Sequence, residues 1–252
     1  MEITSVNNDL VKKVVKLQQK KYRTESGLFL IEGYKSIKEG FELGIELKEV
    51  FVLAEKIEKY KFLKDVISTN EAVLKKISTT DTPPESVAVA VQPDNNFDRL
   101  KTSKKVVLLE NISDAGNLGT IIRSAAAFNI DSVVLLGNTV DLYNPKCVRS
   151  AVGNLWKVNV VNVKSLSEIQ DIFKSYERVA TLPKENNTVW LSDWTPKDKV
   201  LVMLGSEADG LTGELKNWAT TNLTIEMNKG VESLNLSVSA GIVMYKLDNQ
   251  NN

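Results

Sequence analysis

From residue 105 onward, short apolar runs alternate with stretches of helical periodicity. That alternation argues for a mostly parallel sheet with helices on both faces. The runs expected as strands are 105–110, 132–136, 178–182, 200–204 and 223–227. Helices are expected over 118–128, 166–176, 212–218 and 234–247, with Ser165-Leu-Ser-Glu168 as a capping box before the second. Three of the runs open into loops rich in Gly, Asn and Ser: 111–123, 204–211 and 225–237. Open α/β sheets bind ligands at the carboxyl ends of their strands. Three such loops therefore predict one composite site.

The first 92 residues read as a smaller α/β unit. A helix is expected from a cap at Asn7, Asn8 or Asp9 through about Lys21, lined by Leu10, Val14 and Leu17. Strands are expected at 27–31, 49–53 and 86–91, and helices at 34–41, 56–63 and 70–77, the last capped by Asn70. Residues 93–104 are polar and break the periodicity, so they are expected to link this unit to a second domain over 105–252. Residues 248–252 are expected to be a disordered tail.

Composition removes whole classes of chemistry. The chain has no histidine and one cysteine, Cys147. Ser-His-Asp catalysis, Cys-His nucleophiles and the usual zinc sites are therefore excluded, and no metal ligands are expected. A single cysteine excludes an internal disulfide and fits a reducing cytoplasm. No apolar stretch approaches the ~20 residues of a membrane helix, and the amino terminus has no apolar core behind its basic residues, unlike a secretory signal. The formal net charge is zero, whereas a nucleic-acid binder often carries a basic excess. Locally, Lys12, Lys13, Lys16, Lys20, Lys21 and Arg23 form a basic stretch without an intervening acid. It reads equally as a solvated helix face and as a phosphate-tracking patch.

Each loop has a bland reading beside a functional one. Gly116 and Gly119 allow close backbone approach at a loop-to-helix turn, and Arg123 near the first turn of that helix can reach over the loop. Taken alone this is a helix N-terminus with a surface arginine. Glu207 sits in a turn flanked by Gly205 and Gly210, which equally suits a solvent-exposed acid. Ser233-Leu-Asn-Leu-Ser237 opens an apolar helix. Capping explains Ser233 but leaves Asn235 over. Gly116-Asn-Leu-Gly119 partly echoes a dinucleotide-binding loop, although no full G-x-G-x-x-G follows a strand.

In order and spacing, the three loops resemble the motifs of the SpoU (TrmH-like) RNA ribose 2′-O-methyltransferases of the SPOUT superfamily. The resemblance extends over nearly the whole chain. It implies a trefoil-knotted parallel-sheet α/β methyltransferase domain, knotted from about residue 200 onward, preceded by a small α/β substrate-binding domain. It implies S-adenosylmethionine as cofactor, a homodimer, and RNA as substrate, ribosomal RNA favoured over transfer RNA. By resemblance, Arg123 is the catalytic arginine, contacted by Asn235, while Asn111, Asn117 and Glu207 shape the site. Leu204, Gly205, Gly210, Ile225, Met227, Ser233 and Leu234 would line the cofactor pocket, with Thr181 and Leu182 of Ala180-Thr-Leu-Pro183. Residues 144–153 resemble a helix and turn near the substrate entrance. Lys20, Lys21, Arg23 and Arg149 would bind RNA. Ala115 and Glu226 stand where the family usually has Pro, and Ala208 where it often has Gly. The Glu226 carboxylate either turns away from the pocket or faces the sulfonium. Two other readings stay open at this point: a non-catalytic RNA-binding relative and a dinucleotide-binding enzyme.

Overall fold

The computed structural model describes residues 1–184 and 187–248. It falls into two compact units, Met1–Asp94 with Asp141–Trp156, and Asn95–Val140 with Lys157–Asn252. Asp248, expected to open a disordered tail, is instead the last residue of a helix, and the rest of that tail lies outside the described residues.

The first unit runs β1 (Glu2–Ile3), α1 (Asp9–Lys16), α2 (Lys20–Ser26), β2 (Leu28–Glu32), α3 (Tyr34–Glu42), β3 (Leu47–Leu53), β4 (Ile67–Thr69), α4 (Glu71–Ile77) and β5 (Ser86–Val91). Its sheet has the order β1-β4-β3-β5-β2, with β5 antiparallel to both neighbours. Asn8 caps α1 by accepting from the Leu10 amide, and Val11, Val14 and Leu17 bury against the sheet. The single helix expected through Lys21 is instead two. Gln18 leaves the helix to donate to the last carbonyls of α4, those of Lys76, Ile77 and Ser78, at 3.0–3.2 Å. The freed Leu17 carbonyl accepts from Arg23 Nη1 at 2.8 Å. The helix expected over 56–63 is a 3-10 stretch, Ala54–Tyr60. Asn70 caps α4 as its sequence suggests.

The second unit begins with α5 (Phe97–Thr102), inside the segment expected as a linker. Asn96 caps it, and Leu100 is fully buried in this unit's core. Then follow β6 (Lys105–Glu110), α6 (Ala115–Ala127) and β7 (Ser132–Leu136). The chain next returns to the first unit with α7 (Pro145–Ala151), capped by Asn144. It resumes in the second unit with β8 (Asn159–Val163), β9 (Glu177–Thr181), β10 (Val189–Trp190), β11 (Val200–Leu204), α8 (Gly213–Trp218), β12 (Thr221–Thr224) and α9 (Leu236–Asp248). All the strand pairs of this sheet are parallel, in the order β10-β12-β9-β11-β6-β7-β8.

The helix expected over 166–176 shrinks to one 3-10 turn, Leu166–Glu168, with its capping box formed. Its apolar positions still serve the core: Leu166, Ile169, Phe173 and Tyr176 are buried, carried by turns rather than helix. Strand β6 is the switch point. The chain winds to β7 and β8 on one side of it and to β11 and β9 on the other. A crevice at the carboxyl ends of β6 and β11 follows from that reversal.

Candidate active site

The loop after β6 and the loop after β11 meet in this crevice. Glu110, the last residue of β6, is buried, and its two carboxylate oxygens accept from Thr212 Oγ1 at 2.7 Å and from the Thr212 amide at 2.8 Å. The loop in between is a tight hairpin. Ser206 and Gly210 exchange two backbone hydrogen bonds, of 3.1 and 3.0 Å, with Gly210 at φ +67°. A Cβ on Gly205 would lie 2.0 Å from the Gly210 carbonyl carbon, so only glycine lets this turn close. On the other side, Asn111 sits at φ +55° and its Oδ1 accepts from the Asn138 amide at 2.8 Å. Sequence reasoning missed Glu110 and Thr212. Their only signal was an acid ending an apolar strand.

Three loop side chains form one hydrogen-bonded chain. Asn117 Nδ2 donates to Glu207 Oε1 at 2.9 Å. Asn235 Nδ2 donates to Asn117 Oδ1 at 3.1 Å. Ser237 donates to Asn235 Oδ1 through both its hydroxyl, at 2.6 Å, and its amide, at 2.9 Å. The carboxylate at one end can only accept, which fixes both amide orientations. Asp114 positions the first member by accepting from the Asn117 amide at 2.8 Å as the cap of α6.

Three expectations are corrected here. Asn235, not Ser233, caps α9: its side chain accepts from the Ser237 amide and its carbonyl from Ser239. Its amide group goes to Asn117 and not to Arg123. Because α6 starts at Ala115, Arg123 stands in its third turn rather than near its first. It is exposed, and its side chain has no hydrogen bond or ion pair among the described residues. Helical side chains lean toward the N-terminus, so its guanidinium can still extend along α6 toward the loop.

The residues expected to face a cofactor gather at neighbouring strand ends. Thr181 at the end of β9 donates to the Met203 carbonyl of β11 at 2.8 Å, and the Leu182 amide donates to the Leu223 carbonyl of β12 at 2.8 Å. Thr224 donates to the Leu182 carbonyl at 2.9 Å. Leu204 and Gly205 are buried. Leu182, Ile225 and Leu234 are half-buried, and Gly210, Met227 and Ser233 are exposed. Glu226 turns aside, its Oε1 accepting from the Ser192 amide at 2.8 Å. Burial pushes its pKa up, but the hydrogen bonds at Ser192 outweigh this and hold it below the usual carboxylate value.

The residues expected to bind RNA all belong to the first unit and differ in availability. Lys20 and Lys21 are exposed. Arg23 is only 2% exposed. Its guanidinium pairs with Asp141 at 2.6 and 2.8 Å, which removes it from any phosphate contact. Sequence could not show this, because its partner lies 118 positions away. Arg149 is partly exposed and paired with Glu32 at 3.1 Å, with Thr79 as a further partner.

This architecture defines a class: a parallel α/β sheet whose switch-point loops join Asn, Glu and Asn side chains, preceded by a small mixed-sheet unit. Residues 104–245 match the SpoU rRNA Methylase family, and residues 8–88 match the MRM3-like substrate binding domain. The chain is 31% identical to the 23S rRNA (guanosine(2553)-2′-O)-methyltransferase of Bacillus subtilis, over 98% of each chain. It is 26% identical to the 23S rRNA (uridine(2479)-2′-O)-methyltransferase of Streptomyces viridochromogenes, over 97% of this chain and 90% of that one. Among solved structures, the AdoMet-bound rRNA methyltransferase from Sinorhizobium meliloti superposes with a TM-score of 0.89 at 27% identity, covering 99% and 98% of the two chains. The chain belongs to the SpoU rRNA methylase family.

Proposed function

We propose that this SpoU-family RNA 2′-O-methyltransferase transfers a methyl group from S-adenosylmethionine to the 2′-hydroxyl of one nucleotide in 23S-type ribosomal RNA. The observation that carries this reading is the Glu207–Asn117–Asn235 chain, which joins the three motif loops at the sheet's switch point. The relatives' substrates favour ribosomal over transfer RNA.

The strand ends fit the cofactor. Half-buried Leu182 and Ile225, with exposed Met227 beyond them, offer apolar surface for an adenine. The loop backbones at Gly205, Gly210, Ser233 and Leu234 offer hydrogen-bonding groups, and Glu226 is held away by Ser192. When bound, S-adenosylmethionine supplies an electrophilic methyl group on a sulfonium. Methyl and hydroxyl must be held at roughly 3–3.5 Å. A guanidinium stays protonated in proteins, so Arg123 is not the base. It grips the phosphate beside the target ribose with its planar fork. The hydroxyl proton leaves to that phosphate or to water. Asn117, fixed at both ends, keeps the loops after β6 and β11 and the start of α9 in register.

Three further parts belong to this reading. The first unit holds the RNA, with exposed Lys20 and Lys21 on its surface. The carboxyl-terminal segment forms a trefoil knot: β12 lies beyond β9, yet α9 packs back on α6, where Tyr245 meets Phe128 at 5.8 Å and Asp248 reaches Lys105 at 3.5 Å. Two copies associate through α9, which leaves Val238 and Tyr245 49% and 58% exposed. The reaction belongs in the cytoplasm, and no helix among the described residues is long and apolar enough to cross a membrane.

The test is labelled methyl transfer from S-adenosylmethionine to total RNA from a strain lacking the gene, with wild type and Arg123→Ala in parallel. Label in the large ribosomal RNA with wild type alone is expected. No label in any RNA, from folded protein that binds the cofactor, overturns the reading.

A further inference from the structure

The first unit contains a cleft of about 320 Å³, inside the range of ~300–1,000 Å³ typical of small-ligand sites. Its apolar lining comes from Leu10 of α1, Leu17 at the end of that helix, Leu28 of β2 and Val89 of β5. Tyr22 of α2 supplies an aromatic wall. The Lys16 and Lys21 ammonium groups lie 5.5 and 5.9 Å from the centre of its ring. Lys13 and Lys16 also line the cleft; neither makes an ion pair among the described residues, and the Lys13 charge acts on Asp9.

One feature selects among occupants. Glu49 lines the cleft, is half-buried, and its side chain has no hydrogen bond or ion pair among the described residues. A half-buried carboxylate in apolar surroundings needs N–H donors. A fatty-acid carboxylate offers Glu49 no N–H donor. A nucleobase with an exocyclic amine offers donors on its edge, a flat face for Tyr22, and a phosphate on each side for lysines.

We propose that this cleft receives one unpaired nucleobase of the RNA substrate, with an amine-bearing edge toward Glu49 and its flanking phosphates on Lys13 and Lys16. This rests on the reading that the substrate is RNA. Tyr22 acts as the stacking platform, so the site grips RNA at a nucleotide other than the one methylated.

The test uses the full chain and measures ribosomal RNA binding and the KM for that RNA in methyl transfer. Tyr22→Ala is expected to weaken RNA binding about 5- to 100-fold and raise KM in step, with kcat and cofactor affinity unchanged. Tyr22→Phe keeps the platform and is expected to retain binding. In a methyl-resolved titration with GMP, CMP and UMP, the Leu10, Leu28 and Val89 signals are expected to move most with GMP and CMP. Glu49→Gln is expected to erode that preference. Equal RNA affinity for wild type and Tyr22→Ala overturns the proposal, as does cleft occupation by inorganic phosphate or a fatty acid in place of nucleotides. Absence of any methyl transfer by wild type would instead strike the functional reading.

Discussion

Asn117 Nδ2 donates to Glu207 Oε1 across 2.9 Å, joining residues 90 positions apart in sequence. The bond sets the distance between the loops that follow β6 and β11. A hydrogen bond to a charged group contributes about 1.5–3 kcal/mol. Asn117→Ala should therefore lower kcat/KM by about 10- to 100-fold, and Asn117→Asp by more, because two carboxylates would face each other. Asn235→Ala acts on the same chain, so the double variant should lose less than the product of the single losses. Steady-state kinetics of the three variants checks this.

Arg123 carries no structural partner among the described residues. Arg123→Lys and Arg123→Ala should leave the unfolding midpoint nearly unchanged, within about 0.5 kcal/mol. Methyl transfer should nonetheless collapse, and the lysine variant should recover little, since it keeps the charge but lacks the fork. Full activity in Arg123→Lys would refute bidentate positioning.

Gly205→Ala places a Cβ 2.0 Å from the Gly210 carbonyl carbon. The hairpin must open, at a strain of about 1–3 kcal/mol or more. S-adenosylmethionine affinity should fall by at least about tenfold, read by calorimetric titration. Ala208→Gly, on the exposed tip of the same hairpin, should leave it intact.

Asp141→Ala would strip the buried Arg23 guanidinium of its carboxylate. Leaving a buried charge uncompensated destabilises by about 3–5 kcal/mol. Denaturant unfolding should show this, whereas Lys20→Ala and Lys21→Ala, at exposed positions, should leave stability almost unchanged and weaken RNA binding. Equal effects on stability from all three would contradict the assignment of Arg23 to the core.

Burial, aided by the Asp141 charge, pushes the Cys147 thiol from an ordinary value of 9.0 up to about 12. The native state therefore keeps its proton where the unfolded chain loses it. That contribution to stability is complete below about pH 9 and is lost as pH rises toward about 12, by at most ~1.4 kcal/mol per pH unit. A thiol reagent at pH 8 should label Cys147 only on unfolding, and Cys147→Ser should flatten the alkaline limb of the stability curve.

Strands buried on both faces were legible as continuous apolar runs: β5, β6, β7 and β11 begin and end where the sequence places them. Strand β8 escaped because Asn159 and Asn162 interrupt its pattern, although Asn159 is buried and bonded to Ser132. Of the candidate site, the three loops and the residue types they carry were legible. The partners were not. Asn235 capping α9 while reaching Asn117, Glu110 holding Thr212 and Arg23 meeting Asp141 all depend on long-range register, which leaves no local trace.

The first unit is assembled from two stretches of chain, Met1–Asp94 and Asp141–Trp156. A cut at residues 93–104 would strand Arg23 without Asp141 and Glu32 without Arg149. The amino-terminal piece alone should therefore be a poor autonomous folder. Exchanging this module between relatives would require transplanting α7 with it.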